Sequence, residues 1–414
     1  MRRFFSLSLI LLLVFILGCT SGTPEAPDNS LKNETNYIVK GIMKYPDYTF
    51  SSDPSPLDLR LRSISAFKDL LSVRWSISTA ISYNKTGPIS DKTFRHDADV
   101  TYAGTIYSNA STGLFQFLEF YDFNTGRLNY PGSTEEMKET LGASCADAMI
   151  WGVTTVCNSI TGPYYPATMV YQNGFLPVGG YTYDYSITNF NLLPTYKIVE
   201  QNGTDVILDA YTQVTFGDMF VSTPDNHGMM AISSPVVHYK DDGSIDIEKS
   251  YIYIQDQRGG QGSGFYEVKE GGDIIRYSGR TKAKFTFQQL LDKSYLPVTT
   301  AEFAGLKPFE PATASISPSC TTVSDLAKAT VTSNYPLAVV NVLAIDSSGN
   351  QTVIGRKLFN GAGEQGVPRE FALGELACLQ NFADSMYSQT TYTIKVEVVP
   401  SSGQRFIVAE VPAK

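Results

Sequence analysis

The chain opens on an apolar run from Phe4 to Leu17, interrupted by Ser6 and Ser8 and preceded by Arg2 and Arg3. It is shorter than the roughly 20 apolar residues a spanning helix needs, so it reads as a signal segment. The run ends in Ile16-Leu17-Gly18-Cys19. A Cys behind a small residue at that place is the pattern of a lipoprotein signal over residues 1–18, with Cys19 as the lipidated residue. Residues 19–36 are small, polar and Pro-containing, too poor in apolar surface to pack, and read as a disordered tether. Helical spacing follows through Leu57, Leu61, Ile64, Phe67, Leu70 and Leu71, behind Ser55-Pro56 as N-cap and first helical residue. Residues 73–82 then alternate like a strand. Ser133 with Glu136 gives a capping-box start for a short helix over 133–140, and the apolar run behind Ser144-Cys145 predicts a second helix to about residue 156. Beyond Asn173-Gly174 the pattern shortens to strands at 206–208, 219–221, 228–232, 236–239 and 250–254, with an Asp242-Gly243 turn before the last. Helical spacing returns at 287–291.

From about residue 312 the pattern becomes short runs at 327–332, 337–345, 352–358, 392–399 and 404–411. Ser347-Ser348-Gly349-Asn350 and Ser401-Ser402-Gly403 serve as hairpin turns, and residues 374–386 form a helical insertion. The prediction is α+β: an N-terminal domain over 37–310, then an all-β sandwich over 311–414. A chain of 414 residues with 43% hydrophobic content can bury more than one core. The net charge of -9, with no basic cluster, argues against nucleic acid as a partner.

Cysteine placement sharpens the picture. With Cys19 assigned to the signal, Cys145 and Cys157 fall in the first domain, Cys320 and Cys378 in the second. An exported setting permits disulfides, and a Cys320–Cys378 bridge closing about 59 residues would stabilise by roughly 4 kcal/mol in the chain-entropy model. On one continuous helix Cys145 and Cys157 stand about 18 Å apart, too far to bridge. Either the helix breaks near Gly152 or both are thiols. Cys145, at the predicted helix start, meets the positive end of the dipole, which favours thiolate.

A thiolate nucleophile needs a histidine in reach and usually a third group to orient it. Three histidines are present. His96, in Arg95-His96-Asp97-Ala98-Asp99, reads as a surface residue, and His238 as decoration of a strand. His227, in a turn directly before an apolar strand, is the base by elimination.

These residues carry a resemblance. Gly217-Asp218-Met219-Phe220 and His227-Gly228-Met229-Met230-Ala231-Ile232 resemble the glycine–aspartate and glycine–histidine passages of NlpC and CHAP cell-wall hydrolases. Tyr102-Ala103-Gly104-Thr105-Ile106-Tyr107 is similar to a tyrosine- and glycine-containing segment upstream of their cysteine, with Ile106 where a proline is usual. The nucleophile passage departs too, since Ser144-Cys145-Ala146 stands where Asp-Cys-Ser is usual. The resemblance spans roughly residues 101–263. It implies a papain-like fold, then an immunoglobulin-like sandwich, with Cys145 as nucleophile, His227 as general base, Asp256 or Gln257, neighbours behind the strand at 250–254 that face opposite sides of it, as the residue that orients His227, and Ser144 and Tyr107 as substrate or oxyanion candidates. It further implies hydrolysis of amide bonds in cell-wall peptides at the envelope surface, held there by N-terminal lipid and needing no cofactor. A non-catalytic adhesion or ligand-binding lipoprotein, or a transferase using the same dyad, are the alternatives.

Other chemistry is less supported. Residues 259–264 are glycine-rich without phosphate-loop spacing, no histidine pair is spaced for a metal, and carboxylates such as Glu119 and Asp122 occur in any chain of this length.

Overall fold

Ser55 caps the first helix as its sequence requires. In the computed structural model α1 runs Pro56–Ser72; the Asp58 amide donates to the Ser55 hydroxyl at 3.2 Å, and the Asp58 carboxylate accepts from the Ser55 amide at 2.9 Å. The structure describes residues 53–85, 92–108, 110–132, 136–137, 140–160, 175–183, 193–258, 265–360, 367–388 and 391–413. The signal, Cys19, the tether, the glycine-rich loop and most of the helix expected over 133–140 therefore lie outside the described residues. Leu59, Ala66, Phe67, Leu70 and Leu71 of α1 are buried, whereas Leu57 and Leu61, expected on the same face, are about half exposed. Arg60 points inward instead, pairing with Asp218 at 2.6 Å.

Helix α2, Cys145–Thr154, passes through Gly152 without a break. Gly152 lets the two helices touch: a Cβ there would stand 2.8 Å from that of Phe67. Both helices pack on an antiparallel sheet of β1 (Phe175–Pro177), β2 (Met219–Ser222), β3 (His227–Ala231), β4 (Tyr251–Gln257), β5 (Gly279–Thr286) and β6 (Leu296–Thr300), in the order β5-β4-β3-β2-β6-β1. Every residue of β2, β3 and β6 is buried, because both faces are covered. On one face Gly228 admits Ala146 and Met149 of α2. On the other, Tyr211 of α3 (Thr204–Thr212) stacks edge-on against Phe220 and against Phe287 of α4 (Phe287–Asp292).

Several expectations change. Residues 206–208 belong to α3, not to a strand; Ile207, Leu208, Ala210 and Tyr211 are buried at helical spacing. Residues 236–239 make isolated bridges, Val236 to Tyr251 and Tyr239 to Ile245. The run at 73–82 divides into short strands Arg74–Trp75 and Ile81–Lys85. The segment at 327–332 contributes Thr330–Ser333 as strand, after a helical turn at Val323–Leu326. An unexpected hairpin, Tyr266–Glu270 with Asp273–Tyr277, joins Thr101–Ala103 and Arg74–Trp75 in a four-stranded sheet.

Beyond residue 313, two antiparallel sheets enclose a second core. Ala314–Ser317, Thr330–Ser333 and Glu370–Ala372 form one, and Gln351–Leu358, Leu337–Ile345, Thr393–Pro400 and Phe406–Pro412 the other. Val331 and Phe371 share this core with Val340, Val342, Val396 and Val398, and short helical turns bring in Leu373, Leu379 and Phe382. Ala338, Val339 and Val399 belong instead to the first core. The seam between the two regions carries polar contacts as well: the Ser401 hydroxyl donates to the Thr154 carbonyl at 2.9 Å, and Glu119 pairs with Arg356 and Arg405, each at 2.9 Å. The molecule is thus mixed α+β, with more strand than helix and several sheets.

The expected Cys320–Cys378 bridge is absent, and none of the four described cysteines is in a disulfide. The Cys378 sulfur fills the space a side chain at Gly355 would take, while the Cys320 sulfur lies 3.3 Å from the Pro318 carbonyl. Each side chain is committed to its own neighbourhood.

Candidate active site

The first turn of α2 is fixed from behind. The Asp147 carboxylate accepts from both the Ser144 amide (3.1 Å) and the Ser144 hydroxyl (2.6 Å), so Ser144 is the N-cap rather than a group turned to substrate. Cys145 follows at the first helical position, with its sulfur 3.6 Å from the Asn226 carbonyl oxygen. Asn226 adopts a left-handed φ of 43° in the turn between β2 and β3 and so directs that carbonyl to the thiol. The next residue, His227, begins β3.

Strand geometry decides between the two orienting candidates. Gln255 pairs with Met230 across β4 and β3, and its side chain reaches the Ile64 carbonyl of α1. Gln257 faces the same way; its amide donates to the Thr105 carbonyl at 3.1 Å, and its Oε1 is buried without a hydrogen-bond partner. Asp256, between them, faces the side that His227 occupies, and its Oδ2 lies 2.9 Å from His227 Nε2. Cys145 is the ring's other side-chain partner, acting on it through a hydrogen bond and through its charge. Thiol, imidazole and carboxylate therefore form one chain.

Electrostatics follow from burial and partners. His227 is 2% exposed, and burial alone would push its pKa down. The charge of Cys145 and the hydrogen bonds to Asp256 and Cys145 outweigh that and raise it to about 9. Asp256 is fully buried, which opposes its ionisation, yet Arg280 and then His227 hold it far below the usual carboxylate range. Arg280 grips it twice, Nε to Oδ1 at 2.8 Å and Nη2 to Oδ2 at 2.6 Å.

Tyr107 comes to the site through a bridge to Ala143, beside the N-cap. Burial, then the charges of Cys145 and Asp147, hold its phenol well above its ordinary value, so it is a neutral hydrogen-bonding group there. Behind the turn, Asp225 accepts from the Tyr295 hydroxyl at 2.6 Å and pairs with Arg258 at 3.0 Å. Asp218, the acid of the Gly217-Asp218 passage, serves the scaffold by binding Arg60 and the Thr215 amide.

Family models, curated proteins and solved structures hold no match to this chain. The site therefore rests on its own geometry.

The structure brings Cys145, His227, Asp256 and Tyr107 together and turns Ser144 and Gln257 to other partners. Arg280, Arg258, Asp225 and Tyr295 were not anticipated; the alternation of Arg280, Lys282 and Lys284 with Thr281, Ala283 and Phe285 is the signal that would have marked β5. His96 is not on the surface. It is 1% exposed in a cage of Trp75, Tyr102 and Phe265, where burial and then Arg276 hold its pKa down to about 3. His238 is exposed outside any strand. Among the described residues no group of three or more His, Cys, Asp and Glu could hold a metal ion, and no helix is long and apolar enough to cross a membrane. A groove of about 640 Å³ opens in the second region between Lys357–Asn360 and Glu370–Ala372. Its lining carries Lys357, Glu370 and Glu375 as charged groups and no Cys or His.

Proposed function

We propose that this protein is a cysteine amidase or peptidase acting on cell-wall peptides, built on a papain-like scaffold with an immunoglobulin-like sandwich behind it. The observation that carries the reading is the chain from the Cys145 side chain through His227 to Asp256, with the carboxylate on Nε2 of the ring. The helix of the nucleophile packed on an antiparallel sheet whose strand bears the histidine supports the scaffold assignment. Cell-wall peptides as substrate rest on the resemblance of the passages around Tyr107, Asp218 and His227.

In this reading the Cys145 thiolate attacks the amide carbonyl carbon and His227 carries the proton delivered to the leaving amine. Water then attacks the thioester; His227 accepts its proton, and the acid product leaves with the thiol restored. Asp256 keeps the ring's Nε2 occupied so that Nδ1 faces sulfur throughout. The N–H groups of the first turn of α2 and the neutral Tyr107 hydroxyl stabilise the oxyanion. The lipid on Cys19 and the tether place the enzyme at the envelope surface.

Incubation of the full-length protein with peptidoglycan fragments, followed by mass spectrometry, tests this. New carboxyl and amino termini are expected with wild type and not with Cys145→Ala. Intact stem and cross-bridge peptides with both proteins would refute the assignment. Transfer of the acyl group to an added amine would place the same site in a transferase.

A further inference from the structure

We propose that Arg280 is a positioning residue of this site, turned onto it by a β-bulge, where it keeps Asp256 a carboxylate with one oxygen aimed at His227; this rests on the hydrolase reading above.

Simple alternation along β5 would put Arg280 on the face of Lys282 and Lys284, away from Asp256. Those lysines lie over Tyr253 (4.8 Å) and Tyr251 (3.8 Å), on the face of β4 that Gln255 shares. The register shows how Arg280 escapes it. Ile254 pairs with Ala283 and Asp256 with Arg280, a step of two residues on β4 against three on β5. The additional residue turns Arg280 over, as bulges do beside functional sites. Gly279 then permits the close approach: a Cβ there would meet the Asp256 carbonyl oxygen at 2.5 Å and Leu71 Cδ2 at 2.6 Å.

The delivered geometry has two consequences. Nε occupies Oδ1 and Nη2 shares Oδ2 with His227, so the carboxylate plane is fixed and only Oδ2 meets the ring. A carboxylate with no exposure would otherwise bear its desolvation with His227 as its one bonded side-chain partner among the described residues. The other groups facing it are the Arg258 cation, at the end of its own strand, and the phenols of Tyr107, Tyr266 and Tyr295. Arg280 is itself held between the rings of Tyr266 and Phe285, at 5.7 and 5.5 Å.

The test follows the downfield imidazole proton of His227 Nε2–H during acidification of the full-length protein. That signal is assigned by its loss in His227→Ala. In Arg280→Gln the pH at which it disappears is expected to rise by about 1–3 units, the range by which a neighbouring opposite charge moves a carboxylate. Arg280→Lys, which keeps the charge but not the fork, should restore that midpoint while Cys145 alkylation stays slower, by up to about 10²-fold. Lys282→Gln, on the same strand, should match wild type in both. A folded Arg280→Gln that titrates like wild type would overturn the proposal. Should that variant not fold, Arg280→Lys decides: a wild-type alkylation rate there removes the positioning role, and a slowed one supports it. Equal alkylation of wild type and His227→Ala would defeat the hydrolase reading itself, a result distinct from failure of Arg280 alone.

Discussion

The two halves of the molecule bury different things. Before residue 311 the interior contains His96, Asp147, Asp218, His227, Asp256 and Glu302, several of them in charged networks. After it, the buried polar residues are Asn341, Glu397, Ser401 and Ser402, and Asn341 and Ser401 bond directly to Glu119 and Thr154 of the first half. The second core itself is apolar. Buried charge is costly unless fully paired: Asp147, His227 and Asp256 are paired around Cys145, Asp218 and Glu302 brace other parts of the first region, and Asn341 and Ser401 of the second serve attachment.

Substitutions should separate the halves, beginning with the largest effect. Cys145→Ala or His227→Ala is expected to abolish turnover, by on the order of 10⁴-fold or more; Cys145→Ala should change stability by about 1 kcal/mol or less, whereas His227→Ala also removes a buried partner of Asp256 and should cost about 1–3 kcal/mol. Paired kinetics and denaturant unfolding check both numbers. Next comes the seam. Glu119→Ala leaves Arg356 and Arg405 without their shared carboxylate, and because both are partly exposed and keep Asn341 and Glu397 as partners a loss of about 1–3 kcal/mol is expected in urea unfolding, with turnover per folded molecule unchanged. Leu373→Ala, in the second core, should cost about 2–5 kcal/mol and likewise spare turnover. A loss of activity in a folded Leu373→Ala protein would show that the second region shapes the site.

Two pH effects are opposite in sign. His227 has a folded pKa near 9, above the ordinary 6.5, so the stability contributed by its charged form is complete below about pH 6.5 and lost as pH rises through about 9. Above that pH the ring can no longer donate to a leaving amine, and turnover should fall in a pH–rate profile. His96 behaves inversely. Its folded value of about 3 means that between pH 6.5 and 3 the unfolded chain binds a proton the folded chain refuses, so stability declines on acidification. His96→Phe should flatten that decline in unfolding curves recorded across the range.

How much of this was legible follows from the residues themselves. Cys145 could be placed at a helix start because Ser144 and the apolar run behind it carry a local signal, and His227 because a turn and a hydrophobic strand flank it. The strand at Leu337–Ile345 stood out for the same reason. His96 was misread because its charged neighbours face solvent while the alternation of its own strand, Lys92–His96, turns it inward. Residues 206–208, two of them β-branched, are too short a run to distinguish strand from helix by period. The choice between Asp256 and Gln257 required knowing which face of β4 meets His227, and Arg280 depended on a bulge that no local pattern announces. The spacing of Cys320 and Cys378 gave a loop entropy but no side-chain direction.

The most direct test is the pH dependence of iodoacetamide labelling at Cys145 in the full-length protein and in His227→Ala, read by peptide mass spectrometry. Rapid labelling of wild-type Cys145 well below pH 8 is expected, with a shift of that profile to higher pH in the variant. Slow labelling in both proteins, with coincident profiles, would contradict a Cys145–His227 nucleophile and leave a binding scaffold in its place.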